Sequence, residues 1–588
     1  MYSCCTSLMQ NSDTHLKNIS EKLSKEIYKD RPQFTMGSLL LSSAVILLLI
    51  SLFVSTPFVL LLLGALTSVL VIFVALFLFL HVPELKSKAK RPPIAGSMLH
   101  QLLYFNTLSD YQTSLAKKHR TYRLIMPLHS EIYTTDPANV EYILKTNFPN
   151  YGRGAHIEIM RDLFGDGIFA VDGEKWRHQR KLASYEFSTR VLREYSTAVF
   201  RDNAAKLVAK VSTIAVANGA MDLQDLFMKS ALDSIFKVGF GVELNALSGS
   251  DEFANRFTKA FDDSNFIVFR RYVDMFWKVK RFFNIGLEAA LKRNVKIIDD
   301  FIFDLIRCKR EQMENEKLVR EKEDILSRFL MESKRDPENM NDQYLRDIIL
   351  NFMIAGKDTS AGTLTWFFYM LHKHPLVQDK VIHEIRDATQ AKDNICAKEL
   401  SRLMTDDVLD RMHYIHAAIT ETLRLYPAVP TVIFSVKAHL VHGEGISVIH
   451  IHSFVVILMQ DGKISVEDDV LPDGVEVKKG EGISYMAYAM GRMTYIWGED
   501  AVEYRPERWL DEDGIFRPES PFQFTAFQAG PRICLGKEFA YRQMKIMAAV
   551  LLYLFKFRLV DERKEATYRT MFTLHMADGL HVYAFPRT

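Results

Sequence analysis

The stretch Phe527-Gln528-Ala529-Gly530-Pro531-Arg532-Ile533-Cys534-Leu535-Gly536 reads as a tight loop that feeds a helix. Lys537 to Met544 follow, and then an apolar run to Phe557. A cysteine thiolate held against a metal needs backbone N–H groups aimed at its sulfur. Gly530 and Gly536 let the chain turn tightly and approach closely enough. A helix beginning near Leu535 places its positive end beside Cys534, which favours thiolate over thiol. Phe527 can pack beside the sulfur and keep water from it. A buried structural cysteine ahead of a helix is the plain alternative for a lone cysteine; the ten residues taken together argue against it.

The rest of the chain is sparing with thiols. Its five cysteines, Cys4, Cys5, Cys308, Cys396 and Cys534, are too scattered for a disulfide framework and fit a reducing compartment. A net charge of +2 directs the chain to neither nucleic acid nor an acidic partner. Residues 32–83 hold no Asp, Glu, Lys or Arg. As one helix the apolar part would be roughly 65 Å long, about twice a bilayer core, and Pro57 divides it. Two spans over 37–82 are therefore expected, in contact with membrane lipid, with one span plus a buried or interfacial stretch as the alternative. Lys86, Lys88, Lys90 and Arg91 follow, which puts the C-terminal side in the cytosol. The expected organisation is a polar N-terminal extension at 1–36, this anchor, a basic, proline-rich linker at 83–96 and one catalytic domain at 97–588. Met36 offers an alternative start.

Asn341 and Asp342 can cap a helix that runs to about Lys373, where Pro375 stops it. Its middle, Ala355-Gly356-Lys357-Asp358-Thr359-Ser360, is poor helix material, and local rules broken inside a long helix point to a site. Ala355 and Thr359 share a face. By itself, Thr359 could merely bond back to the carbonyl of residue 355. Glu421 and Arg424 lie at i and i+3 on another helix, and Trp176 and Arg180 at i and i+4 on a third.

Together these segments resemble the cytochrome P-450 family from about residue 99 to the C-terminus. The cysteine loop fits F-x-x-G-x-R-x-C-x-G at every fixed position, and residues 355–359 fit A-G-x-D-T. The resemblance implies a mainly α fold with smaller β regions behind an N-terminal membrane anchor. It implies heme b, with Cys534 as the iron ligand and a thiolate push that favours O–O cleavage. Phe527, Gly530, Arg532 and Gly536 would shape the heme site, with Arg532, Trp176 and Arg180 toward its propionates. Gly356 would leave room for O2, Thr359 would donate a hydrogen bond toward it, and Asp358 would help deliver protons. Glu421, Arg424 and Arg508 would form a buried ionic triad that serves folding.

Residues 524–541, together with Gly491-Arg492-Met493 and Asp468-Asp469-Val470-Leu471-Pro472, are most similar to the plant long-chain fatty-acid omega-hydroxylase branch. Hydroxylation of a fatty acid at or near the omega carbon is the implied reaction. Phe164, Phe169, Ile354 and Val429 are candidate lining residues of a long apolar pocket. The implied electron source is NADPH through cytochrome P-450 reductase, at the endoplasmic reticulum membrane. One departure stands out: about thirty residues, 431–460, with His439, His442, His450 and His452, interrupt the pattern after Pro430. They read as retained untranslated sequence or as a hairpin that projects outward. The other readings are a heme-thiolate isomerase or lyase acting on lipid hydroperoxides, and a non-catalytic product of that insertion.

Overall fold

The computed structural model describes residues 64, 67, 68 and 91–587, except 127–129, 153–155, 188–189, 250–251, 275, 316–323, 393, 437–466 and 480. The extension at 1–36, nearly all of the expected spans, the lysines at 86–90 and the four histidines of the insertion lie outside the described residues. No described helix is long and apolar enough to cross a membrane. The chain divides into two units, Met1–Ser87 and Lys88–Thr588. The architecture below is that of the second.

It is mainly helical. The principal helices, numbered in chain order, are α1 Gly173–Phe187, α2 Arg190–Val216, α3 Leu223–Phe240, α4 Glu252–Arg270, α5 Gly286–Asn315, α6 Asp342–Lys373, α7 His413–Leu425 and α8 Lys537–Leu554. Helix α6 is the axis. Its 32 residues begin at Asn341, whose side chain accepts the Tyr344 N–H at 3.0 Å, and end before Pro375. At 1.5 Å per residue that is about 48 Å, enough to cross the domain. Most of its length is buried, because helices pack on it from several sides.

The strands are β1 Ile94–Ser97, β2 Thr121–Ile125, β3 Ser130–Thr134, β4 Tyr151–Gly152, β5 Met221–Asp222, β6 Val432–Val436, β7 Asp469–Val470, β8 Glu476–Val477, β9 Gly482–Tyr485, β10 Phe555–Leu559, β11 Tyr568–Arg569, β12 His575–Met576 and β13 His581–Pro586. The largest sheet has the order β1-β2-β3-β9-β6-β4. Two domain boundaries differ from expectation. Residues 91–96 were expected in a linker, yet Arg91 pairs with the carboxylate of Glu481 and β1 forms a sheet edge parallel to β2. The folded unit therefore includes them. At the other end, the first residues of the expected insertion form β6, antiparallel to both β9 and β4. That part of the stretch is an interior strand of the sheet and does not project outward, since its backbone groups find partners on both sides.

Candidate active site

The cysteine loop is held by its own backbone. Cys534 N–H donates to the Phe527 carbonyl at 2.8 Å, and Ile533 N–H to that of Gly530 at 3.1 Å. Gly530 has φ +62°, and a Cβ there would lie 2.0 Å from the carbonyl oxygen of Leu144. Conformation and space both demand glycine. Gly536 caps α8, which begins at Lys537, two residues later than expected.

The Gly536 backbone lies beside the sulfur of Cys534: a Cβ on Gly536 would come 3.9 Å from it. Burial pushes the thiol pKa up; the Gly536 backbone, Arg180 and Lys537 pull it down, and the rise prevails. Burial thus works against the thiolate, while the neighbouring backbone and cations work for it. A cation at the sulfur would favour it further. Protein surrounds Cys534 closely enough for burial to dominate, yet its side chain is open to solvent-sized space. Both statements hold if the sulfur faces a hollow inside the fold.

Helix α6 has an opening of the same kind. Ala355 is exposed and Thr359 is partly open, in the middle of an otherwise buried helix. Phe187 links the two features. Its ring lies 6.0 Å from that of Phe352, one turn before Ala355, and 6.1 Å from that of Phe539 on α8. A Cβ on Gly536 would come within 4.0 Å of Phe187. The cysteine loop and the open turn of α6 thus border one region.

A flat apolar group bearing carboxylate arms fits these surroundings. Arg532 is buried, lies 4.4 Å from the Trp176 ring centre and pairs with the carboxylate of Asp172. The guanidinium fork is built for carboxylates and can serve more than one. Arg180 sits one turn beyond Trp176 on α1, and its charge interacts with Cys534. The three residues expected near propionates are therefore assembled beside the cysteine. The Phe527 ring rests against Tyr541 at 5.2 Å, while its carbonyl serves Cys534.

In the central helix, Gly356 and Asp358 both sit in closely packed surroundings. The room at Gly356 goes to helix packing: a Cβ there would lie 2.9 Å from both Cγ1 and Cδ1 of Ile235 on α3. The vacancy expected for dioxygen is filled on that side by a neighbouring helix. Asp358 is fully buried; Lys357 lies 2.9 Å from its Oδ1, while Asn265 and Thr573 donate to Oδ2 at 3.1 and 3.2 Å. Burial raises its pKa, but Lys357 and then His575 outweigh burial and hold it well below the usual carboxylate range. Thr359 donates to the Ala355 carbonyl at 2.5 Å, the back-bond open to any helical threonine. Of the expected lining residues, Phe164 and Ile354 are buried, whereas Phe169 and Val429 are partly open.

The charged triad is assembled at the end of α7. Glu421 Oε1 accepts from Arg424 at 2.7 Å and from Arg508 at 2.9 Å, and Oε2 accepts from Trp509 Nε1 at 2.9 Å. Both members of the helical pair have side chains with 0 % exposure. Arg424 also donates to the carbonyls of Gly491, Ala501 and Glu503. Sequence reasoning missed Asp172, Phe187, Trp509 and the partners of Lys357; a lysine inside an otherwise buried helix was the one available signal for the last.

Compared with known proteins, the family model for Cytochrome P-450 matches residues 86–443 and 451–581, breaking off only inside the expected insertion. The chain is similar to cytochrome P-450 704C1 of Pinus taeda, 47 % identical over 533 residues covering 88 % of this chain and 97 % of that protein. It is also similar to cytochrome P-450 704B1 of Arabidopsis thaliana, 41 % identical over 550 residues, with 88 % and 99 % covered. Cytochrome P-450 86B1 of the same plant is 35 % identical over 541 residues, with 89 % and 90 % covered.

Proposed function

The chain belongs to the cytochrome P-450 family and is a heme-dependent monooxygenase, and from that premise we propose that Cys534 holds the iron and that the substrate is a long-chain fatty acid oxidised at or near its omega carbon. The observation that carries the first part is an open Cys534 sulfur beside the Gly536 backbone and within reach of the Arg180 charge. When bound, heme activates dioxygen with two electrons supplied through a reductase, so that one oxygen atom enters a C–H bond and the other leaves as water.

The remaining work falls to the chain. The loop fixes Cys534 through its own N–H on the Phe527 carbonyl. Arg532, Trp176 and Arg180 would hold the carboxylates of the heme; the Arg532 guanidinium already lies over the Trp176 ring. Thr359 presents a hydroxyl from the open turn of α6, and Asp358 beside it, an anion paired with Lys357, would help deliver protons. Glu421, Arg424 and Arg508 lock the end of α7 to the segment before the cysteine loop. The fatty-acid assignment rests on the sequence resemblance, and partly open apolar residues such as Phe169 and Val429 are compatible with it. Residues 37–82 anchor the domain in the endoplasmic reticulum membrane, with the domain in the cytosol and NADPH-cytochrome P-450 reductase as electron donor.

The test is the reduced carbon monoxide spectrum of the purified protein, beside that of Cys534→Ser. The wild type shows the thiolate band and the variant lacks it; a band that survives the substitution sinks the assignment of the ligand. Product analysis over a panel of fatty acids, with reductase, decides the substrate: no hydroxylated product from any of them rejects that class, and turnover of hydroperoxides without reductase would favour an isomerase or lyase.

A further inference from the structure

Lys357 occupies the variable position of the A-G-x-D-T stretch. Its side chain is 1 % exposed. An ammonium that deep must be paired. It is paired twice: Nζ lies 2.6 Å from Asp262 Oδ1 on α4 and 2.9 Å from Asp358 Oδ1 next to it in α6.

The two carboxylates differ. Asp358 has no exposure, and its second oxygen faces Asn265, Thr573 and His575, the imidazole Nε2 at 3.5 Å. Asp262 keeps 41 % of its side-chain surface open, yet burial raises its pKa against the pull of Lys357, and among the described residues its hydrogen bonding runs to Lys357 alone. One cation is thus divided between a fixed anion inside the helix and a more open anion on the helix packed across it. Two carboxylates within reach of one ammonium compete for it, since what one gains in attraction the other loses.

We propose that Lys357 is a positioning residue for proton supply: shared between Asp262 and Asp358, it sets how firmly Asp358 is held as an anion, and Asp262 is the competitor that loosens that hold. The inference rests on assigning Asp358 and Thr359 to proton supply. A carboxylate held far below its ordinary range by Lys357 and His575 passes protons poorly near neutrality, so relief of that hold matters. The consequence has a direction. Without the Asp262 charge, Lys357 belongs wholly to Asp358, and protons arrive late. Hydroxylation takes one O2, two electrons and two protons with the substrate and gives alcohol and water. The same O2, electrons and protons without the substrate give hydrogen peroxide, and the balance shifts toward it.

The experiment compares the full-length heme protein with Asp262→Asn and Asp262→Glu in the presence of reductase. It measures product and peroxide per NADPH, the reduced carbon monoxide band, and backbone hydrogen exchange along α4. Asp262→Asn is expected to raise the peroxide-to-product ratio at least about threefold, the size of half a pKa unit. The KM and the thiolate band should stay as in the wild type, and amides around residue 262 should exchange faster. Asp262→Glu should restore the ratio. Faster exchange with an unchanged ratio overturns the proposal and leaves Asp262–Lys357 as a structural latch. If Asp262→Asn loses the band, the charge at 262 serves the fold and not the hold on Asp358, and the proposal is overturned. Asp358→Asn separates the premise from the inference. If it too leaves the ratio unchanged, the assignment of Asp358 has failed; if it alone raises the ratio, the sharing has.

Discussion

The side chain that Gly356 lacks is replaced by that of Ile235: a Cβ at 356 would lie 2.9 Å from Cγ1 and Cδ1 of Ile235 and 3.1 Å from its Cβ. Helix α3 therefore approaches α6 more closely there than an alanine permits. Overpacking a tight core contact costs about 1–3 kcal/mol. Gly356→Ala should lower stability by an amount in that range, and Gly356→Ala with Ile235→Val should recover part of it in a double-mutant cycle of chemical unfolding. Purely additive losses would show that the two residues do not meet.

The triad predicts a cost that depends on which member is removed. Glu421→Gln leaves Arg424 and Arg508 facing a neutral amide in a buried site. Breaking a buried charge network by one partner costs about 3–5 kcal/mol. Thermal unfolding should show that loss together with poor heme retention. Glu421→Gln combined with Arg508→Met should be less damaging than the two losses added together.

His416 gives the stability a pH dependence on the acid side. Burial and then the charge of Lys545 push its pKa down to about 2, and its ring stacks on Tyr541 at 4.0 Å. Between that value and the ordinary histidine range, the unfolded chain binds a proton that the folded one refuses. Stability therefore rises with pH up to about 6.5 and is flat above it, so far as this group is concerned. His416→Phe should remove on the order of 1–2 kcal/mol of the stability difference between pH 5 and pH 7. Equal acid slopes in the two proteins would contradict the assignment.

Tyr151 joins the two flanks of residues 437–466. Its backbone pairs with Val436 in the sheet, and its hydroxyl donates to Asp469 Oδ2 at 2.6 Å. Asp469 also accepts from Tyr142, Asn147 and Asn150. The two flanks meet at one residue, so a short connection can close the chain at modest entropic cost. Replacing 437–466 by a short Gly-Ser linker should leave the carbon monoxide spectrum intact. Tyr151→Phe should cost about 1 kcal/mol by the lost hydrogen bond. Loss of heme in the shortened chain would mean that the segment is part of the fold.

Sequence alone determined what short-range pattern encodes. The cysteine loop, the length and caps of α6 and the i, i+3 pair of Glu421 and Arg424 are legible because loop geometry, capping and helical periodicity act within a few residues. Tertiary structure decided what depends on groups distant along the chain. Lys357 finds Asp262 across 95 residues, Arg532 finds Asp172 across 360, and Gly356 is explained only once Ile235 is placed beside it. Packing and charge act through space and are felt fully only after water is excluded, so no local pattern could assign these partners.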